Sequence, residues 1–184
     1  MIETTRTAPG MATPDDLFGR LDELGIKTQT HTHPPVFSVG ESRTLRGTIP
    51  GQHCKTLFFK DKKGALWLCV VEEHRRMNMR VLSDLMGSAR LSFARPERVQ
   101  RHLGVEPGAV TPFALINDQS AKINVTLDIE VMAADMVNFH PLVNDRTTTI
   151  SPQDLIRFIE ACGHKPALLN FDRATVYNGE NKEH

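Results

Sequence analysis

The chain has little cysteine, no long hydrophobic run and no net charge. Its three cysteines, Cys54, Cys69 and Cys162, are an odd number with no C-x-x-C spacing. That argues against both a disulfide framework and a zinc finger, and leaves reduced thiols. No apolar stretch approaches the length that crosses a bilayer, so no membrane partner is expected. The first twelve residues, MIETTRTAPGMA, hold no apolar core; they read as a loose tail rather than a secretory signal, and the expected location is the cytoplasm. Lysine plus arginine and aspartate plus glutamate each number 22, so no global field draws in DNA or RNA. A polyanion partner must instead meet a local patch, such as Arg75, Arg76 and Arg80 in EEHRRMNMR. Nucleotide-cofactor motifs are missing, both G-x-G-x-x-G and the phosphate loop ending in Gly-Lys-Ser/Thr, and no G-x-S-x-G elbow supports Ser-His-Asp hydrolysis. His31 and His33 share a strand face and can chelate, but no third ligand stands at readable spacing, so neither metal nor cofactor is expected.

What is present is an ordinary globular composition, 40% hydrophobic and 24% charged, in a chain long enough for one sizeable core. No repeat, low-complexity tract or long linker divides it. The expected organisation is one domain over residues 13–175, with tails at 1–12 and 176–184.

Local signals divide the domain into alternating elements. TPDDLFGRLDELG opens a helix with Thr13 as N-cap and Pro14 at the first helical position; Leu17, Leu21 and Leu24 form its apolar stripe, and Gly25 ends it. IKTQTHTH reads as extended until PPVFS breaks it, and VGESRTLRG as a short helix closed by Gly47. CKTLFFKD and ALWLCVVEE, separated by Lys62, Lys63 and Gly64, form the clearest hairpin in the chain. MNMRVLSDLMG and PERVQRHLG read as helices on either side of a strand at ARLSFA, and SPQDLIRFIEACG as a helix capped by Ser151. VNFHPL, RTTTI and ALLNF look extended, while Asn124 to Asp135 has no clear period. Strands interleaved with helices predict an α/β fold, and the hairpin requires a mixed sheet, curled and barrel-like, flanked by helices.

Three positions carry possible chemistry. Alternation in CKTLFFKD puts Lys55 on one face with Leu57 and Phe59, and Cys54 on the other with Thr56 and Phe58. Lys55 either snorkels to the sheet edge or stands as a cation at the mouth of an apolar cleft. Gly108-Ala-Val-Thr-Pro112 is either an ordinary connection or a stiffened loop that presents bare main chain to a ligand. His140 is held on extended backbone by Pro141, for a structural hydrogen bond or for a site, and Thr147, Thr148 and Thr149 suit a strand with hydroxyls on both faces.

CKTLFFKD with its hairpin partner, PGAVTPFALIND, and NFHPLVNDRTTTISPQDLIRF together resemble the free-standing aminoacyl-tRNA editing domains of the YbaK/prolyl-tRNA synthetase insertion-domain superfamily. Within it the likeness is to the alanyl-tRNA(Pro) deacylase branch, ProXp-ala or PrdX, and it covers about Thr13 to Phe171. The resemblance implies a hydrolase that acts in trans on the ester joining alanine to proline tRNA. Its partners would be the acceptor end of that tRNA and prolyl-tRNA synthetase. It assigns the family's lysine to Lys55, its loop glycine to Gly108 and its pocket histidine to His140. Substrate contacts are implied from Thr111, Pro112, Asn144 and Thr147, with no metal or cofactor. Deacylation of cysteine or serine, or capture of aminoacyl-tRNA without hydrolysis, are the competing expectations.

Overall fold

The structure is a computed structural model that describes residues 5–35 and 49–176. Helix α1 (Pro14–Glu23) starts at a reciprocal cap: Thr13 Oγ1 accepts from the Asp16 amide at 3.3 Å, and Asp16 Oδ2 accepts from the Thr13 amide at 2.8 Å. Strand β1 (Gln29–Thr32) follows. The helix expected to close at Gly47 lies outside the described residues.

The hairpin joins β2 (Gln52–Asp61) to β3 (Leu66–Glu72), antiparallel in the register Lys55 to Val71 and Phe59 to Trp67. Asp61 holds its turn: Oδ1 accepts from the amides of Lys63 and Ala65, each at 2.9 Å, and Oδ2 accepts from Trp67 Nε1 at 3.2 Å and the Ala89 amide at 3.3 Å. Burial pushes the Asp61 carboxyl up, but the bonds from Trp67, Ala65, Ala89 and Lys63 outweigh it and leave the group below its ordinary value.

Helix α2 (Met79–Met86) ends on Gly87, whose φ of 69° is the left-handed conformation glycine adopts without strain. Strand β4 (Leu91–Phe93), helix α3 (Pro96–Leu103) and two 3-10 turns (Pro107–Ala109 and Pro112–Asn117) lead into β5 (Ile123–Asp128). The stretch without a clear period is a junction: β5 runs straight into α4 (Ile129–Met132), where Asp128 Oδ1 caps the Glu130 amide at 3.1 Å. β6 (Val137–Phe139), β7 (Arg146–Ile150), α5 (Pro152–Ala161), β8 (Ala167–Leu169) and a last 3-10 turn (Asp172–Ala174) complete the chain order.

The eight strands make one mixed sheet in the order β1-β7-β6-β2-β3-β5-β8, with β4 paired to β2. Mixed pairing is as expected; closure is not. The path ends at β1 and β8, two short, largely exposed strands that no ladder joins among the described residues, so the sheet is open rather than barrel-like.

Register sorts the side chains onto two faces. The first carries Phe58, Leu68, Val70, Val125, Leu127, Val137, Phe139 and Ile150, covered by Leu17 and Leu21 of α1, Val99 and Leu103 of α3, and Leu155, Phe158 and Ile159 of α5. Phe113 is fully buried there, edge-on to Phe158 at 5.5 Å and to Phe139 at 6.1 Å. On the second face a smaller core joins Phe59, Cys69 and Val71 to Leu82 and Met86 of α2 and to Phe171 and Ala174.

The amino-terminal residues expected as a loose tail are tied down from Thr5. The Thr5 amide and Oγ1 donate to Asn144 Oδ1 at 3.0 and 3.1 Å, the Ala8 amide bonds Gly104 O at 2.8 Å, and the Ala12 amide bonds Asn117 Oδ1 at 2.9 Å.

Candidate active site

β6 runs parallel to β2 for only two registered pairs, Gln52 with Val137 and His53 with Asn138. β4 pairs with β2 further along, from Phe59 to Asp61. Between these two neighbours, residues 54–57 of β2 have no ladder partner on that edge among the described residues, so the sheet opens a gap there. Registered neighbours point the same way, so His53 and Asn138 share the second face. Lys55 and His140, each two residues further along, follow them. β7 extends the set: Asn138 pairs with Thr149, which brings Thr147 to the same face, and His31 of β1 sits opposite Thr147. This half of the second face is polar.

Most of these side chains are held, while the buried His31 Nε2 has no hydrogen-bond partner among the described residues. Pro141 keeps His140 extended, and the Leu142 amide bonds back to His140 O at 3.0 Å. Leu142 itself has a φ of 70°, a strained value for leucine, and is completely buried. His140 Nδ1 lies 2.8 Å from Arg146 O. A carbonyl only accepts, so Nδ1 is the donor of that bond. By the same logic His33 donates from Nδ1 to Pro34 O at 2.9 Å, and its Nε2 shares a hydrogen bond of 2.8 Å with Thr147 Oγ1. The two imidazole centroids are 6.1 Å apart. Asn138 Nδ2 donates to Pro50 O at 3.0 Å, and its Oδ1 accepts from Thr149 Oγ1 at 2.6 Å.

Lys55 is half-buried, and Nζ donates to the main-chain carbonyl of Arg75. Burial pushes its ammonium below the ordinary lysine value; Glu72 and Cys69 pull the other way, and Arg76 adds to the fall. Beside it Arg75, Arg76, His74, Glu72 and Glu130 line a cleft of about 360 Å³. A larger hollow of about 640 Å³ lies between α2 and β4 against Arg80, Asp84 and Arg90, and none of the expected site residues lines it.

The other expected residues sit elsewhere. Gly108 is exposed on the first 3-10 turn, whose neighbour Ala109 packs into the core of the first face. Thr111 is fully buried and its Oγ1 caps the second turn by accepting from the Phe113 amide at 3.3 Å; Pro112 is buried in that turn. Asn144 is fully buried and anchors Thr5. Of the seven, register gathers Lys55, His140 and Thr147. Asn138, Thr149 and His33 stand with them; the sequence pointed to His33 only as a possible chelator and to Thr149 only as a strand hydroxyl, and nothing local marked Asn138.

Cys54 lies on the first face, where burial drives its thiol well above the ordinary value, and burial pushes Cys69 up to about 12 and Cys162 to about 11. None is a thiolate nucleophile near neutral pH. Arg75 is not part of a surface patch: its guanidinium is buried and meets Asp128 Oδ2 at 3.2 Å, Asp172 Oδ1 at 3.1 Å, and Glu130. Among the described residues no group of three or more His, Cys, Asp or Glu is arranged to hold a metal ion, and no helix is long and apolar enough to cross a membrane.

Residues 33–158 match the model of the aminoacyl-tRNA editing domain. The chain belongs to that family. It is therefore a hydrolase of the aminoacyl ester on tRNA, an aminoacyl-tRNA deacylase. It is 32% identical over 149 residues to the prolyl-tRNA editing protein ProX of Acetoanaerobium sticklandii, covering 80% of this chain and 91% of that one. It is 25% identical over 173 residues to the multifunctional Ser/Thr-tRNA deacylase ProXp-y of Escherichia coli K12, covering 92% and 98%. The crystal structure of a candidate trans-editing enzyme for prolyl-tRNA synthetase superposes with a TM-score of 0.65 at 21% identity, covering 88% of this chain and 99% of that one. That likeness carries the fold.

Proposed function

We propose that this deacylase acts in trans, in the cytoplasm, on proline tRNA that carries alanine, with prolyl-tRNA synthetase as its partner in fidelity. The observation that supports the reading is the shared face of Lys55 on β2, His140 just past β6 and Thr147 on β7, which puts a cation, an imidazole and a hydroxyl on one side of the sheet. The name of the Acetoanaerobium relative supports proline tRNA as the carrier.

A synthetase pocket shaped for proline cannot strongly reject a smaller alanine, because each missing methylene is worth only ~1–3 kcal/mol. A second site that admits only small side chains removes the error. Lys55 anchors the terminal nucleotide through its phosphate, and His140 orients the amino acid or the ribose. Water, assisted by the neighbouring ribose hydroxyl, adds to the ester carbonyl carbon. The carbon–oxygen bond to the ribose then breaks, and the leaving oxygen takes the proton, so alanine and intact tRNA are released.

An oxyanion role for main-chain N–H groups of the turn at Gly108 is the separable part of the reading, because Ala109 beside it packs into the core of the first face while Lys55 and His140 stand on the second. Gly108 is not among the glycines in the left-handed region, so Gly108→Ala adds a methyl group without backbone strain. A fall in kcat ties the turn to the substrate; an unchanged kcat means that no substrate atom packs against the α-carbon of Gly108.

A second reading is deacylation of serine, favoured by the E. coli relative's name and by the hydroxyls of Thr147 and Thr149 on the same face. Rates on Ala-, Ser-, Cys- and Pro-charged tRNA(Pro) decide between them. Fast release of alanine with prolyl-tRNA(Pro) untouched is the expected result. An ester protected rather than cleaved would replace the proposal with a binding module.

A further inference from the structure

Lysine is a flexible stem with a point charge at its end, so a site that depends on one must fix it from outside. Here the described anchor of the Lys55 ammonium is a main-chain carbonyl, that of Arg75, in the segment between β3 and α2. Loop carbonyls move with their loops. This one is restrained by its own side chain: Arg75 Nη1 donates to Asp172 Oδ1 at 3.1 Å and to Thr175 Oγ1 at 2.5 Å, Nη2 pairs with Glu130, and Nε lies 3.2 Å from Asp128 Oδ2. The four partners come from the end of β5, from α4 and from the carboxy-terminal turn. Main-chain bonds from the Val176 amide to Arg76 O at 2.8 Å and from the Asn78 amide to Ala174 O at 2.7 Å run alongside.

We propose that Arg75 is the positioning residue of Lys55: its guanidinium, clamped by Asp128, Glu130, Asp172 and Thr175, fixes the carbonyl that holds the ammonium in place on the second face. Clamping one arginine with three carboxylates is a poor way to gain stability alone, since pairing at depth roughly repays desolvation. It is a good way to hold one peptide group still. The inference rests on the catalytic reading of Lys55, and it touches no atom of the substrate.

The test is the Glu130→Gln/Asp172→Asn double variant, which loosens the clamp at its half-exposed carboxylates and leaves the buried Arg75–Asp128 pair intact. Trace acetylation with acetic anhydride, read by mass spectrometry against the exposed Lys62 and Lys63, reports Lys55 independently of turnover. Single-turnover deacylation of alanyl-tRNA(Pro) gives the kinetic arm. The expected result is faster acetylation of Lys55 relative to Lys62 and Lys63, with kcat down about tenfold or more and KM within about twofold. Unchanged Lys55 acetylation overturns the proposal whatever the kinetics, and faster acetylation with unchanged kcat overturns the positioning role. Should the double variant melt early, Glu130→Gln alone carries the same readout. A wild-type protein that leaves the ester intact defeats the functional reading instead, and acetylation alone then decides the clamp.

Discussion

The two faces of the sheet do different work. The first is apolar from Ile150 to Val125 and lies under three helices; the second is apolar only where α2 and the carboxy-terminal turn cover it, and polar where β2, β6, β7 and β1 meet. One side holds the fold and the other holds a site. Strands shared by both let a single register fix Phe139 in the core and His140 beside the gap.

Substitutions on either side should therefore separate stability from turnover. The largest loss falls on the first face: Phe113→Ala, at a fully buried ring touching two others, should lower unfolding free energy by about 3–5 kcal/mol in urea titration, with near-normal deacylation per folded molecule. Asp61→Ala, which orphans four donors around the hairpin, should cost about 2–3 kcal/mol. Because the folded Asp61 carboxyl titrates below the unfolded value of 3.8, its contribution is complete above that value and lost as pH falls through the folded one. Wild-type urea midpoints should thus drop more steeply below about pH 4 than those of Asp61→Asn. On the second face, His140→Ala should slow deacylation about 10- to 100-fold while the melt shifts by only a few degrees. The smallest effect is Ser151→Ala, about 1 kcal/mol for the lost α5 cap, with turnover intact. A variant that moved both readouts in proportion would blur the division between faces.

Elements set by neighbours in the chain were legible. Thr13-Pro14 and Ser151-Pro152 mark their helices because capping is local, and alternation in CKTLFFKD sorted Lys55 from Cys54 correctly. Where partners are distant the signal failed. The site depends on two parallel pairs between β2 and β6, a register no local period contains. Arg75 reads as one of a surface cluster because an arginine looks the same whether water or carboxylates meet it, and its partners lie on β5, α4 and the last turn. Asn144, in a motif that suggested substrate contact, is occupied by Thr5, which no pattern near Asn144 announces. Asp128 hid the end of β5 because the same residue closes a strand and caps a helix.

The central claim is that the ammonium on the second face acts on the ester, and the measurement that meets it most directly is single-turnover hydrolysis of alanyl-tRNA(Pro) by Lys55→Ala beside a thermal melt. A rate down by about a hundredfold or more with a melt within a few degrees of wild type is predicted. Hydrolysis at close to the wild-type rate by a folded Lys55→Ala protein would contradict it.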